Sequence, residues 1–251
     1  MAEKNKITLD DEENAEFAYK LSSNKKVRRL VNKKRTTTII VIILLIAILF
    51  TGSVFFVLSF IEANSVKITV DNYTNKGISI STEEAFANPT TVLSAAGPEK
   101  LDNVTFSNID IDTIVATEGS VNGESYIAYT FYVKNQGVTD AEVYYYISMN
   151  NATNNLDSAI RIMLITEEET LILAKPDSEG NAVPIANNED ELTTPFQGDV
   201  QIYTSDIFPI EEAVTTKYSL VIWIEGWDED CTDDILGGVV SIELSFTYAD
   251  Y

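Results

Sequence analysis

Two hydrophobic patterns divide this chain. From Thr38 to Ile61 the apolar residues run for 24 positions without a charge, TIIVIILLIAILFTGSVFFVLSFI. At about 1.5 Å per residue, a helix of that length spans the roughly 30 Å hydrocarbon core of a bilayer. The run therefore predicts one N-terminal transmembrane helix. Beyond it the period changes to two, the mark of strands with one buried face. Strands are predicted at Val66–Val70, Ile78–Ser81, Val104–Asp112 (broken near Asn108, where the phase shifts), Tyr126–Lys134 and Ala141–Met149. Others are predicted at Ala159–Ile165, Glu169–Ala174, Val200–Tyr203, Lys217–Ile224 and Val239–Tyr248. The strongest pair, YIAYTFYVK and AEVYYYISM, flanks a Gly137-containing hairpin loop. Residues 175–199 and 225–238 read as acidic loops, and Leu156–Ala159 as a single helical turn. About ten strands with hairpin-like spacing predict an all-β fold, an antiparallel jelly-roll or Ig-like sandwich.

Charge orients these parts. Residues 1–35 carry ten Lys/Arg against six Asp/Glu, whereas the remainder carries seven against 33. Lys33-Lys34-Arg35 abuts the apolar run, and the first charge beyond it is Glu62. The positive-inside rule then makes residues 1–37 a cytoplasmic basic segment, 38–61 the membrane segment and 62–251 an extracellular acidic domain. The protein is thus expected at the cell membrane as a single-pass protein, with the membrane as its first partner. So acidic a domain repels nucleic acid, which is excluded as a partner. Two fates fit the apolar run. It is either a retained signal anchor or a signal-peptide core cut near Ser65, where Ala63-Asn64-Ser65 supplies small residues. The lone Cys231 leaves the domain without an internal disulfide.

Candidate chemistry is sparse. The chain has no histidine, so neither a His-based zinc peptidase site nor a Ser–His–Asp triad can form. Asp228, Asp230, Asp233 and Asp234 crowd one loop between Trp227 and Gly237-Gly238. Carboxylates at that density are either solvated or bridged by a cation, and oxygen ligands suit Ca²⁺. The loop is not an EF-hand, because Asp233 stands where the Gly belongs and Val239 where the Glu belongs. With only carboxylates near it, the Cys231 thiol is expected to stay protonated and inert. In Tyr144-Tyr145-Tyr146 the middle residue faces away from its neighbours, one side core and the other outward.

The basic N-terminus, the single apolar segment, the hairpin YTFYVKNQG…AEVYYYISM and the ending VIWIEGWDEDCTDDILGGVVSIELSF form a combined pattern. It resembles the exported proteins of Gram-positive bacteria related to the TasA and camelysin biofilm-matrix group. The resemblance covers residues 36–251 loosely and 218–246 more specifically. It implies a jelly-roll domain exported through a dedicated signal peptidase and assembled into surface fibres, one subunit's N-terminal strand completing the next subunit's sheet. Val66–Val70 is the candidate donor strand. Camelysin-like members are classed as metallopeptidases, but this chain lacks the histidines that activity would require. The expectation is a non-enzymatic cell-surface structural or adhesive protein, partnered by other surface proteins or copies of itself. The alternative is a Ca²⁺- or ligand-binding surface module.

Overall fold

The strongest alternating segments all become strands. The computed structural model describes residues 13–16, 19–20, 23–25, 38–51, 64–71 and 77–249. The chain divides into two units, Met1–Leu58 and Ser59–Tyr251. In the first, residues 38–51 are helical, and Thr51 returns its hydroxyl to the carbonyls of Ala47 and Ile48. Among the described residues no helix is long and apolar enough to cross a membrane. Residues 52–61 of the expected span, like most of the basic flank, lie outside the described residues.

The second unit is built from two sheets, with fourteen strands among the described residues. One sheet contains β1 (Ser65–Val70), β3 (Val92–Ala96), β7 (Ala141–Ala152), β11 (Gln201–Thr204) and β14 (Val240–Tyr248) in the order β11-β7-β14-β1-β3. A short β12 (Phe208–Ile210) joins β7. The other runs β10 (Thr194–Pro195), β9 (Thr170–Ala174), β8 (Ile160–Ile165), β13 (Thr215–Glu225), β6 (Tyr126–Asn135), β2 (Ile78–Ser81). The two-residue strands β4 (Asn103–Val104) and β5 (Gly119–Ser120) pair with β13 and β6. The core lies where the facing residues of the two sheets meet, such as Ile68, Ile147 and Leu244 against Phe131, Ile162 and Leu220.

The sheets are mixed, which corrects the purely antiparallel expectation. β1 runs parallel to β14, β4 to β13 and β10 to β9. Hairpins give antiparallel neighbours, but β1 is the first and β14 the last of the described strands. No hairpin fixes their relative direction. A second correction concerns residues 104–116, where a strand was expected through Asp112. After β4 the chain forms a 3₁₀ turn, Phe106–Asn108, and a short helix, Ile111–Ala116. Asp110 starts that helix by accepting the Thr113 N–H (3.0 Å) and hydroxyl (2.8 Å). Ile109 and Ile114 then pack with Met163, Val221 and Trp223 on the outer face of the second sheet. Strands β6, β8 and β13 are thus covered on both faces, which is why they read as continuous apolar runs. The helical turn at Leu156–Ser158 is present as a 3₁₀ turn. Tyr145 enters the core while Tyr144 and Tyr146 are half-buried on the other face.

The outer face of the first sheet stays polar, and across β1–β14 it forms a ladder. Ser65 meets Ser241 (3.1 Å), Lys67 meets Glu243 (2.9 Å) and Thr69 meets Ser245 (2.7 Å). Burial pushes the Glu243 carboxyl up, but hydrogen bonds from Lys67, Asn150 and Thr69 outweigh it and hold the group below its ordinary value of 4.5. As pH falls, the unfolded chain therefore takes up this proton before the folded one does. The stabilisation is complete above the ordinary value and lost as pH drops through the folded value. Asp110 and Asp177, held low mainly by backbone hydrogen bonds, act with the same sign. We expect the melting temperature to fall on acidification from neutral pH to about pH 3, and to fall less steeply in a Glu243→Gln variant. Equal slopes would remove Glu243 from the account.

Candidate functional site

Two features of the acidic domain carry the site residues read from the sequence, the seat of β1 and the loop after β13. β1 is held on both sides, parallel to β14 from Ser65↔Ser241 to Val70↔Phe246 and antiparallel to β3. Val66, Ile68 and Val70 point into the core and are almost fully buried. Asn64, just before the strand, is buried at φ 50°, a left-handed conformation that Asn tolerates better than most residues. Its amide oxygen accepts the Val240 N–H (3.2 Å) and its amide nitrogen donates to the Pro98 carbonyl (3.1 Å). Its backbone carbonyl accepts the Gly97 N–H at 2.5 Å, and a Cβ on Gly97 would meet that oxygen at 2.7 Å. Glycine is required there by close approach. Of the cleavage triplet, Ala63 lies outside the described residues, Asn64 forms this clamp and Ser65 is the first residue of β1.

The loop after β13 is organised by two buried groups. Glu225 is fully buried, and its carboxylate accepts three N–H groups: Phe106 (3.0 Å), the Trp223 indole (3.0 Å) and Trp227 (3.1 Å). Asp228 turns inward to Arg161 of β8, Oδ2 to Nη2 at 2.6 Å, with both side chains nearly excluded from solvent. Its other oxygen accepts the Asp230 N–H (2.8 Å). The same Arg161 Nη2 donates to the Pro184 carbonyl (3.0 Å), so one guanidinium ties both acidic loops to the sheet. Trp223 is core, stacked on Phe106 at 5.7 Å, whereas Trp227 is 61% exposed.

Of the four predicted Ca²⁺ ligands, Asp228 is thus an ion-pair partner, while Asp230, Asp233 and Asp234 remain exposed. Among the described residues no three acidic or thiol side chains are grouped to hold a metal ion. Arg161, alone among the apolar residues of IRIMLI, was the overlooked sequence signal. A strand arginine that cannot reach solvent requires a buried acid.

Cys231 packs partly buried against the core. Burial pushes its thiol up, the Asn103 hydrogen bond opposes this, and the charges of Asp228 and Glu225 add to the rise. Alkylation by iodoacetamide near neutral pH is expected to be slow in the folded protein and to accelerate in urea. Equal rates would show an accessible, activated thiol.

No family model matches the chain, and no curated protein matches it. Among solved structures, the N-terminal domain of PorA is similar at TM-score 0.22 and 6% identity, over 68% of this chain and 96% of that domain. A likeness that weak carries no argument. The fold defines only a class, a mostly β protein of two mixed sheets.

Proposed function

We propose that this chain is a single-pass cell-surface protein whose acidic jelly-roll domain is displayed outside the membrane in a structural or adhesive role. When released near Ser65, it becomes a fibre subunit. The display half rests on the charge-free run at 38–61 and the basic residues before it. The assembly half rests on one observation: the strand that follows the apolar run directly, β1, fills a slot between β14 and β3 and buries three apolar side chains there.

A terminal strand in such a slot is replaceable by the same strand of another copy, with every backbone and core contact reproduced. Asn64 links this exchange to processing. With the anchor retained, Asn64 pins β1 into its own domain. A cut after Ser65 removes the Asn64 clamp and leaves Val66–Val70 free to leave and enter a neighbour. No catalytic step belongs to this reading.

The test is light scattering and electron microscopy of a chain beginning at Val66, compared with one beginning at Asn64, over a range of concentration and pH. Fibres or long oligomers are expected from the first and monomers from the second. Monomers from both would overturn the fibre half. Mass spectrometry of the full chain made in a Gram-positive host reads whether residues 1–65 stay attached, and extraction from that host's membranes by alkali would overturn the integral anchor.

A further inference from the structure

A cleft outside the features described above opens between the two sheets, where β12 of one sheet and the β8–β9 turn of the other draw apart. It has a volume of about 670 Å³. Its floor is aromatic. Tyr145, Tyr203, Phe208 and Tyr218 line it, with the rings of Tyr203 and Phe208 each 6.0 Å from that of Tyr145. Its mouth is acidic: Glu167, Glu168 and Glu169 come from the β8–β9 turn, and Asp206 and Glu211 from the opposite wall. All five are exposed, and none forms an ion pair with a described residue. No Lys or Arg is among the described residues that line the cleft.

The independent observation is Tyr218. It is 3% exposed and stacks on Phe131 at 5.5 Å, yet its hydroxyl has no hydrogen-bond partner among the described residues. Tyr218 lines the cleft, and burial, followed by the charges of Glu168 and Glu169, raises its hydroxyl above the ordinary value. The ring is buried but the hydroxyl oxygen is not sealed from solvent, so it opens onto the cleft and can accept a hydrogen bond from a donor that enters.

From this geometry we infer that the cleft is a binding site for a lysine or arginine side chain presented by a partner polypeptide. The alkyl stem passes between the carboxylates at the mouth, and the cationic head reaches the tyrosine and phenylalanine rings of the floor and donates to Tyr218 Oη. Long basic side chains are amphipathic in this way, and aromatic faces attract their cationic ends. A neutral apolar ligand would leave five carboxylates crowded at the rim and gain nothing from Tyr218. The inference is independent of whether residues 38–61 are retained.

The test titrates the full chain, solubilised in non-ionic detergent, with a synthetic Lys-Gly repeat peptide, following tyrosine fluorescence and calorimetry. The basic peptide is expected to bind and its Glu-Gly counterpart not to bind. The triple change Glu167→Gln, Glu168→Gln and Glu169→Gln should weaken binding roughly tenfold or more. Tyr218→Phe, which keeps the ring, should weaken it by roughly tenfold through loss of a charge-assisted hydrogen bond, with the melting temperature held. The control removes three charges elsewhere, Asp230→Asn, Asp233→Asn and Asp234→Asn, and should leave binding unchanged. Equal weakening by both triple variants would show attraction to the net charge alone and overturn the site. So would an absence of binding, or a Tyr218→Phe variant that binds as the parent does.

Discussion

A chain that begins at Asp71, and so lacks β1, is expected to lose its cooperative melting transition or to assemble through the exposed slot. Three core side chains, Val66, Ile68 and Val70, leave with the strand, each at most 6% exposed in the intact fold. Burying a side chain of this size contributes about 1.5–3 kcal/mol, and a whole domain is stable by only about 5–15 kcal/mol. Loss of the strand also unpairs one edge of β14 and separates β3 from the sheet. A synthetic peptide covering residues 64–71 should restore the transition when added in excess, because it brings both the core residues and the Asn64 clamp. Ile68→Ala in the full chain is the milder version and should cost about 2–5 kcal/mol by urea denaturation. A truncated chain that melts like the parent, as a monomer, would show that β1 is an accessory and not the completing strand.

This strand also marks how far the sequence could be read. Its existence and bounds were legible, because VKITV alternates cleanly and its burial follows the same alternation. Its partner was not, since period two says which face is buried but nothing about which strand lies alongside or in which direction. The neighbouring β3 was missed altogether. Its residues VLSAA do not alternate and only Ala95 is buried, as befits an edge strand. The helix Ile111–Ala116 was misread for a different reason. IDIDTIV alternates at its start, and only the Asp110 cap and the apolar groove over Trp223 decide for helix. In each case a tertiary contact overrode a short local pattern.

The acidic loop shows the same limit in its chemistry. Five acids in seven positions looked like one cluster with one use, whether solvated or bridged by a cation. The fold separates them by what lies opposite. Asp228 meets Arg161, sixty-seven residues away in sequence, while its neighbours face solvent. Glu225, three residues earlier, looked like part of the same acidic run, yet it is fully buried and organises the turn through three N–H donors. Replacing either buried acid is therefore expected to act on the fold, whereas replacing Asp230, Asp233 or Asp234 is expected to act only on surface charge.

That distinction gives the second large effect. Asp228→Ala should destabilise the domain by about 3–5 kcal/mol, the cost of leaving a buried guanidinium without its counter-charge. The Pro184 carbonyl still accepts from Arg161 Nη2, which places the expectation toward the lower end of that range, whereas Arg161 Nε already lacks a partner. The loss should also be local. Both acidic loops are tied to β8 through this one guanidinium, so amide exchange should quicken at residues 226–232 and around Pro184 before it does in β13. Asp230→Ala is the matched control and should change stability by no more than about 0.5 kcal/mol. The double replacement Arg161→Met with Asp228→Leu removes both charges together and should recover much of the loss, because neither is then left unpaired. Urea denaturation of the four chains reads the comparison directly. If Asp228→Ala costs no more than Asp230→Ala, the pair is not what holds the loop, and the acidic run regains its claim to act as a single cation-binding cluster.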